Sequence, residues 1–458
     1  MMDKVDNIIS VIKSCHAPNW EVYAFQLGVA EKQFRNYDVE IERSVENFGY
    51  SIRVVNPKKG IGLAPGNFTD PNGIKKCLEQ AQLAAKVSKS LPYNFPNAFA
   101  YIYVEIEDPK VVNDPVGVID DKSEELMSLL KDRKDVTPTF GKLRSYVVDT
   151  VLVNSEDVYA QKRETLLYLE LALKASLDSR LAEYWPKVSF RRVRDMKLEK
   201  RIPEWSDIAV DTLRAKIPES KEMTVIMTPE IIGQLIPPVV GFNATGSAKY
   251  KKLSRFSEGQ NIAGENITID DDGTYPYGIG SSPFDDEGVG QRTTQLIKKG
   301  VFKSFIYDNT FGPLMNKNST GNGVRTRGQV FDIESKHTIP VSNGITNMYI
   351  EPGNMTLEGL IADTKDGLFV QQFSWLSPDE MTSSFGSEIR NARLIKNGEL
   401  SDPVKGGLVS GYVLDSTVGE KQIIGLLKRV SGMTRNFDIS GRCIAPYMRF
   451  EGVQVAGK

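Results

Sequence analysis

Hydrophobic positions change their period several times along the chain. Val5, Ile8, Ile9 and Ile12 recur at helical spacing, so the first fourteen residues predict an amphipathic helix. The period then drops to two. Residues 21–34, 37–46 and 50–55 alternate in polarity, and Asn-Pro-Lys-Lys-Gly at 56–60 closes the third run. This pattern predicts an antiparallel meander of half-buried strands. Helical spacing returns over 70–88, where Asp70 can cap, Pro71 suits the first turn, and Ile74, Cys77, Leu78, Ala81, Ala84 and Ala85 share a face. Together these elements predict a first α/β unit over residues 1–92.

The Pro- and Asn-rich stretch 91–96 reads as a connector. A strand over 100–106 and a helix over 122–131 are expected after it. Two long alternating runs follow, 144–153 and 164–176, separated by the turn-like Asn154-Ser-Glu-Asp. A last helix over 205–216 leads into Ile217-Pro-Glu-Ser, which closes a middle α/β unit over 93–219. Beyond it, short strands, many glycines and repeated turn signals predict a β-rich carboxy-terminal domain over 220–458. The expected fold class is α+β, with amino-terminal α/β units built on mixed or antiparallel sheets ahead of that domain. Two hairpins echo each other, since 295–305 and 393–400 each place Lys-x-Gly after Leu-Ile. The second contains Asn397-Gly398, which favours a type I′ turn.

At 458 residues the chain is too long for one core. Lys and Arg number 57 against 59 Asp and Glu, for a net charge of −2, and this balance argues against a nucleic-acid surface. The basic clusters at 190–194 and 249–255 read as solvated loop charge. No apolar run is long enough for a transmembrane helix. The amino terminus lacks the basic and apolar regions of a signal peptide, so a cytoplasmic protein is expected. Cys15, Cys77 and Cys443 match no zinc or redox spacing. His16 and His337 lie far apart, and that scarcity limits metal chemistry more than any other feature.

Candidate chemistry begins at residues 225–242. A strand ends at Met227, Thr228 can cap, Pro229 suits the first helical position, and Glu230 favours the positive end of the dipole. Pro237 and Pro238 then each remove a donor at about 3 kcal/mol, so the helix should stop or kink near Leu235. Asp270-Asp-Asp-Gly reads as a turn more readily than as a cation loop. Asp285-Asp-Glu-Gly could supply an acid and a base, or hold loops in place. Ser319-Thr-Gly-Asn-Gly, followed by Arg325 and Arg327, could be a backbone cradle, but no helix is evident after it to form a phosphate site. The aromatic run 373–375 reads as core.

Several of these segments resemble one family over nearly the whole chain. They are Ser282-Pro-Phe-Asp-Asp-Glu-Gly-Val-Gly-Gln-Arg-Thr, Leu296-Ile-Lys-Lys-Gly-Val-Phe-Lys-Ser-Phe-Ile-Tyr-Asp, Ser319-Thr-Gly-Asn-Gly, Met348-Tyr-Ile-Glu-Pro-Gly-Asn-Met-Thr-Leu-Glu-Gly-Leu-Ile, Asp366-Gly-Leu and Phe450-Glu-Gly-Val-Gln-Val-Ala-Gly. The chain resembles the TldD/PmbA family of modular metallopeptidases, whose older name links it to DNA gyrase. In the family's catalytic branch, two histidines and a glutamate on the helix after such a strand bind zinc and move a proton. Here Pro237 and Phe242 stand where the histidines would be, and Pro238 where the glutamate would.

The resemblance therefore implies the PmbA/TldE-like branch, with no catalytic residue, metal ligand or cofactor in this chain. Zinc is expected on a TldD-type partner, the two forming a cytoplasmic peptidase that acts on peptides in maturation or proteolysis. The family's third ligand, a cysteine, is expected nearer Gly432 or Met433, so Cys443 reads as a buried small side chain. Asp285, Asp286, Glu287, Asn322 and Arg325 are candidates for a peptide groove or for structural support. Two alternatives stay open. One is a homodimer that captures extended peptides at a sheet edge, and the other is a metal-independent hydrolase using Asp285 or Asp286.

Overall fold

The structure is a computed structural model and describes residues 1–58, 60–328 and 330–458. The amino-terminal half is built on α1 (Met2–Ser14), β1 (Trp20–Arg35), β2 (Asp38–Val55), β3 (Ile61–Gly66) and α2 (Pro71–Val87). It continues through α3 (Pro109–Asn113), α4 (Pro115–Lys131), β4 (Val136–Asn154), β5 (Tyr159–Leu177), β6 (Arg180–Tyr184), β7 (Lys187–Phe190) and α5 (Leu198–Thr212). Asp70 caps α2 as expected, accepting from the N–H groups of Asn72 and Gly73.

The strands form one sheet in the order β3-β2-β1-β4-β5-β6, with β7 also on β5. β1 pairs antiparallel with β4 from Glu21 opposite Asn154 to Phe34 opposite Gly141, so both expected amino-terminal units share this sheet. Alternation along the strands explains why both faces are buried. Val22 and Ala24 of β1 join Ile52, Ile74 and Leu78 under α1 and α2. Tyr23, Phe25 and Leu27 point the other way, with Tyr146, Tyr168 and Phe284. Farther along the sheet, α4 and α5 bury Leu126, Ile202 and Trp205 against Leu167, Leu169 and Leu171.

Three expectations need correction here. The two strands expected at 37–46 and 50–55 are one strand, β2. Gly49 keeps its ladder intact where a Cβ would meet Phe25 and His337 at 2.7 Å. Residues 100–106 carry no strand ladder; the Glu105 carbonyl instead accepts from the Tyr277 N–H, and the Ile106 carbonyl from the Thr165 N–H and the Arg191 guanidinium. The helix expected at 205–216 is α5, which begins earlier because Leu198 and Ile202 are buried on its inner face.

The carboxy-terminal half begins with β8 (Lys221–Met227) and α6 (Pro229–Ala244), then β9 (Ile269–Asp272), β10 (Thr293–Lys298), β11 (Val301–Phe302), β12 (Gly323–Val324), β13 (Ser342–Asn343) and β14 (Met348–Ile350). It ends with β15 (Asp366–Phe373), β16 (Ser384–Lys396), β17 (Glu399–Val404), β18 (Leu408–Tyr412), β19 (Ser416–Val418), β20 (Lys421–Ile423), β21 (Val430–Ser440) and β22 (Cys443–Ala456). β8 pairs with β15 on one side and with β22 on the other, so the path β8-β15-β16-β18-β22 closes on itself. Both echoing hairpins turn through positive φ at two successive residues, Lys299 and Gly300 in one and Asn397 and Gly398 in the other. That is the type I′ geometry, adopted even where Lys replaces Asn.

The proline pair does not break its helix. α6 runs unbroken from Pro229 to Ala244, so of the stop or kink expected near Leu235 the stop does not occur. Pro237 and Pro238 leave the carbonyls of Gly233 and Gln234 without helical donors, at about 3 kcal/mol each. Against this, Ile231, Ile232, Leu235, Ile236, Val239 and Val240 are all buried in the main core, and each contributes roughly 1.5–3 kcal/mol. Packing exceeds the backbone penalty. The acidic run also differs from expectation, because Asp270 to Asp272 belong to β9, paired with β10 and β14, and form no turn. Trp375 is 88% exposed, whereas Phe373 joins the core. No helix among the described residues is long and apolar enough to cross a membrane.

Candidate functional site

A cavity of about 660 Å³ lies between the outer face of β5 and the carboxy-terminal half. α6 gives it one wall through Gly233, Pro237, Pro238 and Phe242. None of those side chains can ligate a metal or carry a proton. Cys443 is 1% exposed, and burial pushes its thiol up to about 12, so it is a neutral core side chain. His16 is exposed on the amino-terminal helix end. His337 stacks on Phe25 with ring centroids 4.7 Å apart, and burial together with the Arg325 charge pulls it down to about 4. Among the described residues, no group of three or more His, Cys, Asp and Glu is gathered to hold a metal. The donor set at this helix does not fit a zinc ion.

The loop after Phe284 brings acids to the opposite wall. The Asp285 carboxylate accepts from the N–H groups of Glu287, Val289 and Gly323, each at 2.9 Å. Burial, with the Glu287 charge nearby, raises its pKa well above the ordinary value. Asp286 is also buried, yet Lys336 at 2.9 Å and Lys162 hold it below the ordinary range. It accepts from the Arg325 N–H at 2.7 Å as well. Arg325 itself is 1% exposed, donates to the Ile339 carbonyl at 2.9 Å, and lies over the Tyr23 ring.

Asp285, Asp286 and Arg325 therefore line the cavity together, while Glu287 and Asn322 lie behind it. Glu287 accepts from Arg53 at 3.0 Å, from Tyr93 at 3.2 Å and from the Asn309 N–H at 2.7 Å. Asn322 donates to Asp271 at 2.5 Å and to the Gly344 carbonyl at 3.0 Å. Burial pushes Asp271 up to about 6. The 319–323 loop leads into β12 and not into a helix, so it presents no helix N-terminus to an anion.

Sequence reasoning missed the charges supplied by β5 and its neighbours. Lys162 and Glu164 share a face of β5 with Leu166 and Tyr168, which are core residues. Charge on an otherwise apolar strand face was the available signal. Arg191, expected to be solvated, is 2% exposed; it pairs with Glu164 at 2.8 Å and donates to the carbonyls of Gly278 and Ile279. The strand face needs its charge neutralised inside the fold, and Arg191 does so while tying the 278–281 loop to the sheet. Lys162 donates to the Ser282 hydroxyl at 2.8 Å, and that hydroxyl donates to the Phe284 carbonyl at 2.6 Å. The Ser282 proton thus points at backbone, which makes the pair a loop support and not a nucleophile with its base. Arg442, in the turn between β21 and β22, also reaches the cavity. No sequence pattern marked it.

Residues 220–457 match the PmbA/TldA metallopeptidase C-terminal domain. A metalloprotease of Methanocaldococcus jannaschii is 25% identical over 425 residues, covering 89% of this chain and 88% of the relative. A Buchnera aphidicola metalloprotease TldD homolog is 31% identical over 227 residues, covering 48% of this chain and 45% of the relative. Among solved structures, TldE from Thermococcus kodakarensis superposes with a TM-score of 0.83 at 21% identity, covering 99% of this chain and 100% of that one. A Thermotoga maritima protein titled as a modulator of a DNA gyrase gives 0.83 at 19% identity with the same coverage. At these identities the two structures speak for the fold.

Proposed function

Because the chain belongs to the PmbA/TldD metallopeptidase family, we propose that it is the non-catalytic subunit of a two-chain peptidase whose zinc sits on a TldD-type partner. The observation that carries this reading is the cavity wall of α6. Pro237, Pro238 and Phe242 stand there on an intact helix, in the places where the catalytic branch puts two ligands and a base. The helix keeps its position and packing while its side chains have no metal or acid–base chemistry to offer.

In this reading the complex is cytoplasmic and acts on peptides in maturation or proteolysis, and the chain contributes scaffold and peptide contacts. The cavity holds part of an extended peptide, with Asp286, Arg325 and Lys336 fixing the shape of its wall. Co-expression with a zinc-bearing family member from the same cell tests the proposal. The expected outcome is a stable complex that hydrolyses peptides and carries zinc on the partner alone. A chain that purifies alone with stoichiometric, tightly held zinc, or that never associates with the partner, would overturn it.

A further inference from the structure

Five cations among the described residues line the cavity, and three of them are committed to the fold. Arg191 is paired with Glu164, and Lys336 with Asp286. Arg325 faces Glu21 at 3.7 Å and covers Tyr23. Lys162 and Arg442 differ, because neither has a carboxylate within ion-pair distance among the described residues. Among the described residues the Lys162 ammonium has the Ser282 hydroxyl as its hydrogen-bond partner and lies over the Phe284 ring. Among the described residues the Arg442 side chain makes one hydrogen bond, to the Ile345 carbonyl at 3.3 Å, so most of its five donors are left over.

Four of the five acids lining the cavity are engaged, Asp332 with the Thr326 hydroxyl and the Arg327 N–H among them, while the Glu380 carboxylate has no hydrogen-bond or ion-pair partner among the described residues. Glu164 serves Arg191, Asp286 serves Lys336 and the Arg325 N–H, and Asp285 serves three backbone N–H groups. Also lining the cavity, the Asn343 side-chain N–H₂ is buried without an acceptor among the described residues. The cavity thus offers side-chain donors, on Lys162, Arg442 and Asn343, beyond those the fold consumes. Lys162 and Arg442 are half-buried, so a ligand that displaces their remaining water and supplies an anion gains charge-assisted hydrogen bonds there.

Resting on the reading that this cavity holds peptide, we propose that it selects the peptide by a carboxylate, which Arg442 and Lys162 bind. A carboxylate has two oxygens able to accept several hydrogen bonds, matching a guanidinium fork and an ammonium that line the same cavity. Burial supports the assignment, since it lowers the pKa of both cations, Lys162 to about 8, against the pull of Glu164 and Asp286. An anion in the cavity would relieve both.

Fluorescence anisotropy with the full chain tests this, using N-terminally fluorescein-labelled hexaalanine in three forms: free acid, C-terminal amide, and amide with one central glutamate. The expected result is about tenfold tighter binding of the free acid or of the glutamate form than of the plain amide. A preference for the free acid assigns a chain-terminal carboxylate, and a preference for the glutamate form assigns a side-chain one. R442Q and K162M should each remove the preference, and R442K should keep part of it. Unfolding midpoints establish that the variants fold; should either fail, the three probes on the unmodified chain decide alone. Equal affinity for all three overturns the carboxylate inference while leaving the peptide-holding reading intact. A preference that survives both substitutions overturns the assignment to these residues. Binding of no probe, by the chain alone or in complex with its partner, overturns both.

Discussion

Arg53 joins two halves of the molecule through a few atoms. It is 5% exposed, bonds Glu21 at 2.6 Å and reaches Glu287 at 3.0 Å across to the carboxy-terminal half. Removing one partner of such a buried group leaves uncompensated charge, so R53M should destabilise the fold by about 3–5 kcal/mol in urea unfolding. A loss under 1 kcal/mol would show that the two glutamates find other partners. His337 makes a second prediction at this scale. Its folded pKa of about 4 lies below the ordinary 6.5, so the stability it contributes is present above pH 6.5 and is lost as pH falls through about 4. H337F keeps the stack on Phe25 and removes the titration. The wild type should lose up to about 2 kcal/mol more than H337F between those pH values, after allowance for partial exposure. Parallel pH profiles for the two proteins would refute this. Asp285, Asp286 and Arg325 were legible because they sit in distinctive motifs. Lys162 and Glu164 were not, because alternation assigns a charged strand position to water unless its facing loops are known.

Elements were legible where local chemistry decides them and obscured where tertiary packing does. The Asp70 cap and the Asn397-Gly398 turn are short-range, and both formed as read. α6 shows the opposite case, since two prolines argue for a break and six buried apolar side chains overrule them. Pro238 is exposed while Pro237 is buried, so P238A returns an N–H to the Gln234 carbonyl and gives up little packing. It should stabilise the protein by about 1–2 kcal/mol, visible as a higher thermal midpoint; an unchanged or lower midpoint would count against the account of the helix given above. Gly49 explains the continuity of β2 in the same terms. A methyl group there would press on Phe25 and His337, so G49A should cost about 1–3 kcal/mol. The acidic β9 was misread because Asp-Asp-Asp-Gly carries turn propensity, while its pairing partners lie far away in sequence.

Across the whole molecule, the β1–β4 sheet and the ring through β8 are joined by buried polar contacts and not by a linker alone. Arg53, Arg191 and Lys162 each reach from the sheet to loops between residues 278 and 287. These contacts should make unfolding a single cooperative event. Hydrogen exchange is expected to give the β1–β4 and β8–β22 ladders the same opening free energy, and R53M should separate them. A wild-type gap of more than about 2 kcal/mol between the ladders would mean independent units. The α+β class and the β-rich second half were legible from periodicity and turn residues, whereas the shared first sheet was not, because a ladder between residues 21–34 and 141–154 leaves no mark in either segment alone.

The closure of the ring by β22 also sets an order of assembly during synthesis. Met227 of β8 lies opposite Met448 of β22, and a ribosome adding about 5–20 residues per second takes roughly ten seconds or more to cover that interval. Throughout it, β8 has an open edge and α6 has no β22 to cover its apolar side. The nascent chain keeps that edge and that apolar side uncovered until β22 arrives.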